Sequence, residues 1–417
     1  MGCREVDTHD LGRRETQMSA LWYLIAVLLF LALLLRLELV FYAVYSLLGI
    51  YLLSRLLVYR TLERLQVERV FTDHAFLNDE VTVTIRIRNR TLWPIPWLHV
   101  DESVPIELHA PNFVRAAYSL GSRETRTLRY TLSCRRRGYY TLGPLHLTSG
   151  DPFGFVQAHR ALPERPTLIV YPAVIPLSQL GLPARLPYGQ VSSFQRLFED
   201  PNRLAGVREY RVGDSIRRVH WKASAHADTL LVKQLQPAIT QEMAIVLDLD
   251  ARAYSNRMRH AASEWGIVVA ASLAYYLGVH KQPVALVTNG QDPLASGGRA
   301  PLLAPPRAGR GQVMHILELL ARVRLQDDAI PLESFLSRTV LPLSWGVTVA
   351  LVTPRTDTAI YRTLQRLTYS GYHPLLLVTE PMMNFAPVQA QARTVGAHAF
   401  HVWREQALRL LEEGRRQ

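Results

Sequence analysis

Asp214, His220 and Ser224 fall within one stretch, Tyr210-Arg-Val-Gly-Asp214-Ser-Ile-Arg-Arg-Val-His220-Trp-Lys-Ala-Ser-Ala225. Their side chains are those of a nucleophilic triad: an acid to orient an imidazole, a base, and a hydroxyl. On a helix His220 and Ser224 would share a face one turn apart. A nucleophilic serine, however, usually stands on an exposed turn beside an oxyanion hole, and the chain has no Gly-x-Ser-x-Gly elbow. Ala-Ser-Ala is also ordinary helix packing. The structural reading of the same residues gives Gly213 to a tight turn and Asp214 to a helix cap. His220 then bonds a backbone carbonyl and Trp221 packs at a domain boundary. Helical spacing turns Ile216, Val219, His220 and Ala223 inward. It pairs Arg217 with Trp221, and Arg218 with Lys222, on other faces. That outer surface is basic and suits an acidic partner. No catalytic residue is therefore assigned. Arg208, Glu209, Tyr210, Gly213, Asp214, Arg217, Arg218, His220, Trp221, Lys222, Ser224 and Lys233 are read as a partner-binding set. A hydrolase using Asp214, His220 and Ser224 is the alternative.

The elements that must position this stretch follow from pattern. At 417 residues, 48% hydrophobic and 20% charged, the chain is globular and too long for one ordinary core. Residues 1–17 are polar and read as a flexible tail. Residues 18–35 and Leu39–Tyr59 are apolar runs separated by Arg36 and Glu38, each close to the roughly 20 residues a membrane-spanning helix needs. Their short polar break predicts a transmembrane helical hairpin. Arg13 and Arg14 precede it, and Arg55, Arg60, Arg64 and Arg69 fall at or beyond its other end, whereas the turn carries only Arg36. The positive-inside rule places both ends, and the soluble remainder, in the cytoplasm at the inner membrane. The net charge of +12 comes mostly from arginine, with lysine only at positions 222, 233 and 281. It is spread along the chain, so a nucleic-acid partner is not expected. Cys3 and Cys134 make no disulfide framework.

From 65 to 171 the period is two. Val81–Asn89, Trp97–Asp101, Thr125–Cys134, Gly138–Leu147 and Thr167–Tyr171 read as short strands, predicting a β-sandwich. Residues 172–240 hold a Pro/Gly/Ser-rich linker, taken to run to 205, and the signature stretch. From 241 to 417 strands alternate with helices: Met243–Asp248, Arg257–Val279, Pro283–Thr288, Pro301–Ala304, Gln312–Val323, Val347–Thr353, Thr358–Tyr369, Pro374–Thr379, His398–Trp403 and Arg404–Glu413. That alternation predicts a doubly wound α/β domain, with Asp248 and Asp250 at its working edge.

Three segments carry a resemblance, in this order along the chain: Arg136-Arg-Gly-Tyr-Tyr-Thr-Leu-Gly-Pro144, Asp151-Pro-Phe-Gly154 and Arg208-Glu-Tyr-Arg-Val-Gly-Asp-Ser-Ile-Arg-Arg-Val-His-Trp-Lys-Ala-Ser224. With the paired N-terminal spans, they resemble the bacterial and archaeal "domain of unknown function 58" family. The resemblance implies a last domain similar to the von Willebrand factor A fold. It also implies association with a MoxR-type AAA+ ATPase, sometimes with transglutaminase-like proteins, and an adaptor role in assembling other complexes. Von Willebrand A domains that bind Mg²⁺ use Asp-x-Ser-x-Ser, a Thr and a further Asp, all hard oxygen ligands. Here the first part reads Asp248-Leu-Asp250-Ala-Arg252, the loop before Gln312 lacks Thr, and Val352-Thr-Pro354-Arg355 lacks the acid. Asp248 and Asp250 are therefore weak metal candidates, expected to pair with Arg252 or to cap a helix. No cofactor is expected. A divalent-cation-dependent binding module is a further alternative.

Overall fold

A computed structural model of the chain describes residues 23, 26, 27, 30, 38–110, 117–177, 199–211, 219–227, 229–237, 242–294, 302–340, 343 and 346–406. Its contacts divide into two compact units, Met1–Tyr171 and Pro172–Gln417.

The first unit begins with an apolar helix, α1 (Glu38–Glu63). Apolar side chains run round most of it: Tyr42, Tyr45, Ile50, Leu52, Leu53 and Leu56 are exposed, while Val44, Tyr51, Val58 and Leu62 are buried. Such a helix belongs in a core or in lipid. Phe41–Glu63 is long and apolar enough to cross a membrane, with little of it covered. It runs past the expected Tyr59 because its later turns pack on protein: Tyr51, Val58 and Leu62 join the core of the strands. The first expected span, 18–35, lies outside the described residues except for Tyr23, Ala26, Val27 and Phe30, which are helical.

Eleven strands follow: β1 (Leu65–Val70), β2 (His74–Phe76), β3 (Glu80–Asn89), β4 (Ile95–Glu102), β5 (Leu108–His109), β6 (Ala117–Leu120), β7 (Thr125–Cys134), β8 (Gly138–Thr141), β9 (Leu145–Gly150), β10 (Gln157–Leu162) and β11 (Thr167–Tyr171). They form sheets ordered β1-β3-β7-β5, β10-β9-β4-β6 and β2-β11-β8. Alternation does the work: Val81, Val83, Ile85 and Ile87 of β3 face Leu98, Val100, Leu145 and Leu147 in one hydrophobic cluster. The expected strand Gly138–Leu147 is two strands in different sheets. Gly143, at φ 97°, turns the chain between them, a conformation side chains disfavour.

The second unit opens with β12 (Glu199–Glu209), a short helix α2 (Trp221–Ala227) and β13 (Leu231–Pro237). Residues 199–205, expected as the end of a linker, thus belong to a strand paired antiparallel with β13. Then come β14 (Met243–Leu247), α3 (Arg259–Val279), β15 (Val284–Thr288), β16 (Leu302–Arg307), α4 (Arg310–Arg322), α5 (Leu332–Thr339), β17 (Thr348–Thr353), α6 (Thr358–Tyr369), β18 (His373–Val378), α7 (Ala386–Thr394) and β19 (His398–His401). Of the expected C-terminal helix Arg404–Glu413, Glu405 and Gln406 are helical and 407–417 lie outside the described residues. One sheet, β16-β15-β14-β17-β18-β19, is parallel throughout except for β16. Its central strands are buried on both faces and read as unbroken apolar runs. Ala244, Val246, Val349 and Leu351 pack against Phe335, Leu364 and Val388 of α5, α6 and α7. Leu247 and Val352 meet α3 on the other face, where Gly266 lets the helix approach. Helix α3 in turn touches α4 at Gly278, where a Cβ would lie 2.1 Å from Val313. The chain leaves β14 toward β15 on one side and returns to β17 on the other. Topology therefore switches between the carboxyl ends of β14 and β17, where such sheets place ligands.

Candidate functional site

The signature stretch is built differently from the predicted helix. Val219, expected on an inward helical face, forms an isolated β-bridge with Val232, which also pairs with Arg208 of β12. β13 is thus bonded on both sides, and Val219 and Val232 are buried there. The helix begins only at Trp221, and its cap is His220: the ring Nδ1 accepts the Ala223 amide at 3.1 Å. The capping nitrogen is an acceptor, so the ring proton sits on Nε2. His220 therefore caps the helix through Nδ1, a role the helical reading of its position did not give it. Ser224 accepts the Leu231 amide at 2.9 Å through Oγ, and its own amide donates to the His220 carbonyl at 2.9 Å. The His220 amide donates to Leu231, and the Tyr210 amide to Leu230. His220 and Ser224 therefore tie a short helix to the start of β13, and the hydroxyl is engaged with backbone.

What remains exposed is the outer side of α2. No residue of this helix is buried, Trp221 is 65% exposed, and Lys222 is exposed. Lys233 of β13 is exposed opposite Val207, and Glu209 pairs with Leu231. Arg208 donates to the carbonyl of Glu209. Gly213, Asp214, Arg217 and Arg218 lie outside the described residues.

The second group of residues sits at the switch point. Asp248 follows β14, is wholly buried, and accepts four hydrogen bonds. To Oδ1 donate the Asp250 amide (3.2 Å) and Asn289 Nδ2 (2.9 Å); to Oδ2 donate Thr353 Oγ1 (3.0 Å) and Arg355 Nε (2.9 Å). Asp250, also buried, caps the 3-10 turn Ala251–Ala253 by accepting the Arg252 amide. It also pairs with Arg252 Nε at 3.0 Å and with Arg355 Nη2 at 2.7 Å. Arg355 thus spans both acids, one nitrogen to each. Burial works against its charge, but Asp248 and then Asp250 outweigh burial, so its pKa stands above the ordinary arginine value. Beneath it, Tyr254 donates to the Asp248 carbonyl. Its phenol is pushed far up, first by burial and then by the Asp248 charge. Two carboxylates meet two guanidiniums, and the position between the acids holds a side-chain cation.

Relatives bear on both groups. The family described as "Protein of unknown function DUF58" matches residues 206–338. Residues 206–338 of this chain are similar to that family. The match begins on β12 and ends on α5, so DUF58 similarity takes in α2, Asp248 and Asp250 but stops before Thr353 and Arg355. "Uncharacterized protein YeaD" of Bacillus subtilis (strain 168) is 23% identical over 62% of this chain, and the chain spans about three fifths (61%) of that relative. Solved structures similar to part of the chain include the CARDB domain of the PF1109 protein from Pyrococcus furiosus, at 18% identity over 25% of this chain and 86% of that one, with a TM-score of 0.18. Another is the cupredoxin domain of amoB from Nitrosocaldus yellowstonii, at 9% identity over 25% and 86%, with a TM-score of 0.20. Scores this low fix neither fold nor function.

Sequence reasoning missed the partners of the acids. Arg355 is read from sequence as a cation near the edge; its bond to both carboxylates depends on β17 lying beside β14, which no local pattern announces. Asn289 and Thr353 are brought in by the same sheet register. A second buried ion pair, in the first unit, was also unforeseen. Glu102 pairs with Arg69 at 2.6 Å and accepts the Tyr130 hydroxyl. Burial raises the Glu102 pKa against the opposing effects of Tyr130 and Arg69. Its three residues come from β4, β1 and β7 and share no spacing in sequence.

Proposed function

We propose that this protein is a membrane-anchored, non-enzymatic adaptor whose β12–α2–β13 segment docks a protein partner. The observation that carries the reading is the division of labour in α2. His220 and Ser224 hold the helix in place through backbone bonds, and Trp221 and Lys222 are left outside. A large aromatic held rigid and uncovered is the kind of residue that dominates protein interfaces. The anchor is a helical hairpin of which α1 is the second arm, and the charge pattern puts both soluble units on the cytoplasmic side of the inner membrane. The first unit is a β-sandwich acting as a spacer. The second is a von Willebrand factor A-like domain in which Arg355 fills the place of the ion. The partner is a MoxR-type AAA+ ATPase, with a transglutaminase-like protein as a further candidate, and the process is assembly or maturation of other complexes.

Co-purification from detergent-solubilised native membranes tests the reading. A AAA+ ATPase should accompany the full-length chain, and Trp221→Ala combined with Lys222→Glu should lose it. Undiminished recovery with the double variant would exclude this face.

A further inference from the structure

Loops 90–94 and 151–156 of the first unit each present large apolar side chains to solvent on a braced backbone. Leu92 is 68% exposed, Trp93 57% and Phe153 65%. Neither loop owes this to slackness. The first is gripped by Asn89, which is fully buried: its Nδ2 donates to the carbonyls of Trp93 (2.8 Å) and Gly121 (2.9 Å), and its Oδ1 accepts the amide and hydroxyl of Thr91. The second is gripped by buried Asp151, which accepts the amides of Phe153 (3.1 Å) and Val156 (2.7 Å). Phe153 stacks on Phe155 with ring centroids 5.8 Å apart. A rigid tip that leaves apolar surface in water forgoes stabilisation unless something covers it.

Strand register puts both tips at one end of the unit. Asn89 ends β3 and pairs with Leu65, the first residue of β1. β4 then starts with Ile95 opposite Leu120, and Trp97 pairs with Gly150, which in turn faces Gln157. The loops 90–94, 121–124 and 151–156 therefore share the end at which the chain passes from α1 into β1. Only Arg64 stands between that helix and that strand. The junction is stiff: Arg160 Nη1 donates to the carbonyls of Leu62, Glu63 and Leu65, each at 2.9 Å, at the negative end of the helix dipole. Arg64, Arg90 and Arg123 are exposed at the same end, with Glu63 and Glu124 the exposed acids beside them.

We propose that this end of the first unit sits in the headgroup layer of the bilayer, with Leu92, Trp93 and Phe153 inserted and the arginines on lipid phosphates. The inference rests on α1 spanning the membrane. A helix whose last turn is bonded to the strands cannot leave the bilayer without setting this end at its surface. Tryptophan and other amphipathic rings favour that layer, and arginine there meets anionic lipid.

The test uses the full chain in vesicles of phosphatidylethanolamine and phosphatidylglycerol. Single cysteines carry an environment-sensitive fluorophore in a Cys3→Ser background; Cys134 is buried and stays. Leu92→Cys and Phe153→Cys probe the tips, and Leu53→Cys probes α1. Ile106→Cys, a 96% exposed position beyond the other end of β4, is the water-facing control. The expected result is a blue shift and loss of emission at 92 and 153 with headgroup-level nitroxide lipids, loss at 53 with deep nitroxides, and no change at 106. Quenching at 53 with water-like emission at 92 and 153 would overturn the insertion while leaving the anchor standing. A blue shift at 92 and 153 without lipid quenching would mean a protein covers them, which also overturns it. Absence of quenching at 53 would remove the anchor and the inference together.

Discussion

Replacing Arg355 by leucine removes the one side chain that, among the described residues, joins both acids at the switch point. Its guanidinium donates to Asp248 at 2.9 Å and to Asp250 at 2.7 Å, and the side chain is 22% exposed against 0% and 3% for the acids. Removing one partner of a buried pair costs about 3–5 kcal/mol, because the remaining charge stays buried without compensation. Asp248 keeps Asn289, Thr353 and the Asp250 amide, and Asp250 keeps Arg252, so the lower end applies, about 3 kcal/mol. A chain of two units has no single unfolding free energy, so the readout must be local. Hydrogen exchange followed by mass spectrometry on peptides covering β14 and β17 supplies it. The loss predicts exchange there faster by roughly a hundred-fold, at 1.4 kcal/mol per factor of ten, with peptides from β3 and β7 unchanged. Millimolar Mg²⁺ should restore part of the protection in the variant and none in the wild type, since the vacated place is ringed by hard oxygens. Exchange within a few-fold of wild type would refute the view that Arg355 is the cation holding this edge together.

Other expectations follow from the same geometry. Glu102 has a folded pKa raised from 4.5 by burial, so its contribution to stability is fully present below that ordinary value and is lost as pH rises through the raised one. The wild-type thermal transition of the first unit should fall with rising pH across that window, relative to Glu102→Gln; parallel profiles would deny the shift. The Cys134 thiol is buried and pushed up to about 11, chiefly by desolvation, so thiol reagents at pH 8 should label it only on unfolding, as intact mass will show. His220→Ala removes the cap of α2 and should cost about 1 kcal/mol, seen as faster exchange in α2 and at the start of β13. If His220 and Ser224 were instead catalytic, a serine-directed probe would label Ser224 and the label would vanish with this variant; the bonds to Leu231 predict no labelling at all.

Periodicity carried much of the fold. Thr125–Cys134, Thr167–Tyr171 and Thr358–Tyr369 are legible to the residue because a clear alternation or helical stripe is bounded by turn formers. β1 and β10 escaped notice: Leu65–Val70 interleaves Gln, Glu and Arg, and Gln157–Leu162 buries only Ala158 fully. The α7 segment, Ala-Pro-Val-Gln-Ala-Gln-Ala-Arg-Thr, buries only Val388 and Ala392, too few apolar contacts to mark a stripe. In the signature stretch, spacing alone made Val219 helical, whereas its pairing with Val232 comes from a strand thirteen positions on and outweighs local propensity. The candidate site was legible where single residues matter, as with Asp250 capping beside Arg252. It was illegible where a sheet had to close first, as with Arg355 reaching Asp248 from the neighbouring strand.

The adaptor reading turns on what touches Trp221 in the native membrane. A photoreactive phenylalanine analogue placed at position 221 of the full-length chain, with the still more exposed Met383 as a control position, reports that contact directly. Irradiation followed by mass spectrometry should give a AAA+ ATPase cross-linked at 221 and absent at 383. No cross-link from 221, or the same yield from both positions, would contradict a docking face at α2.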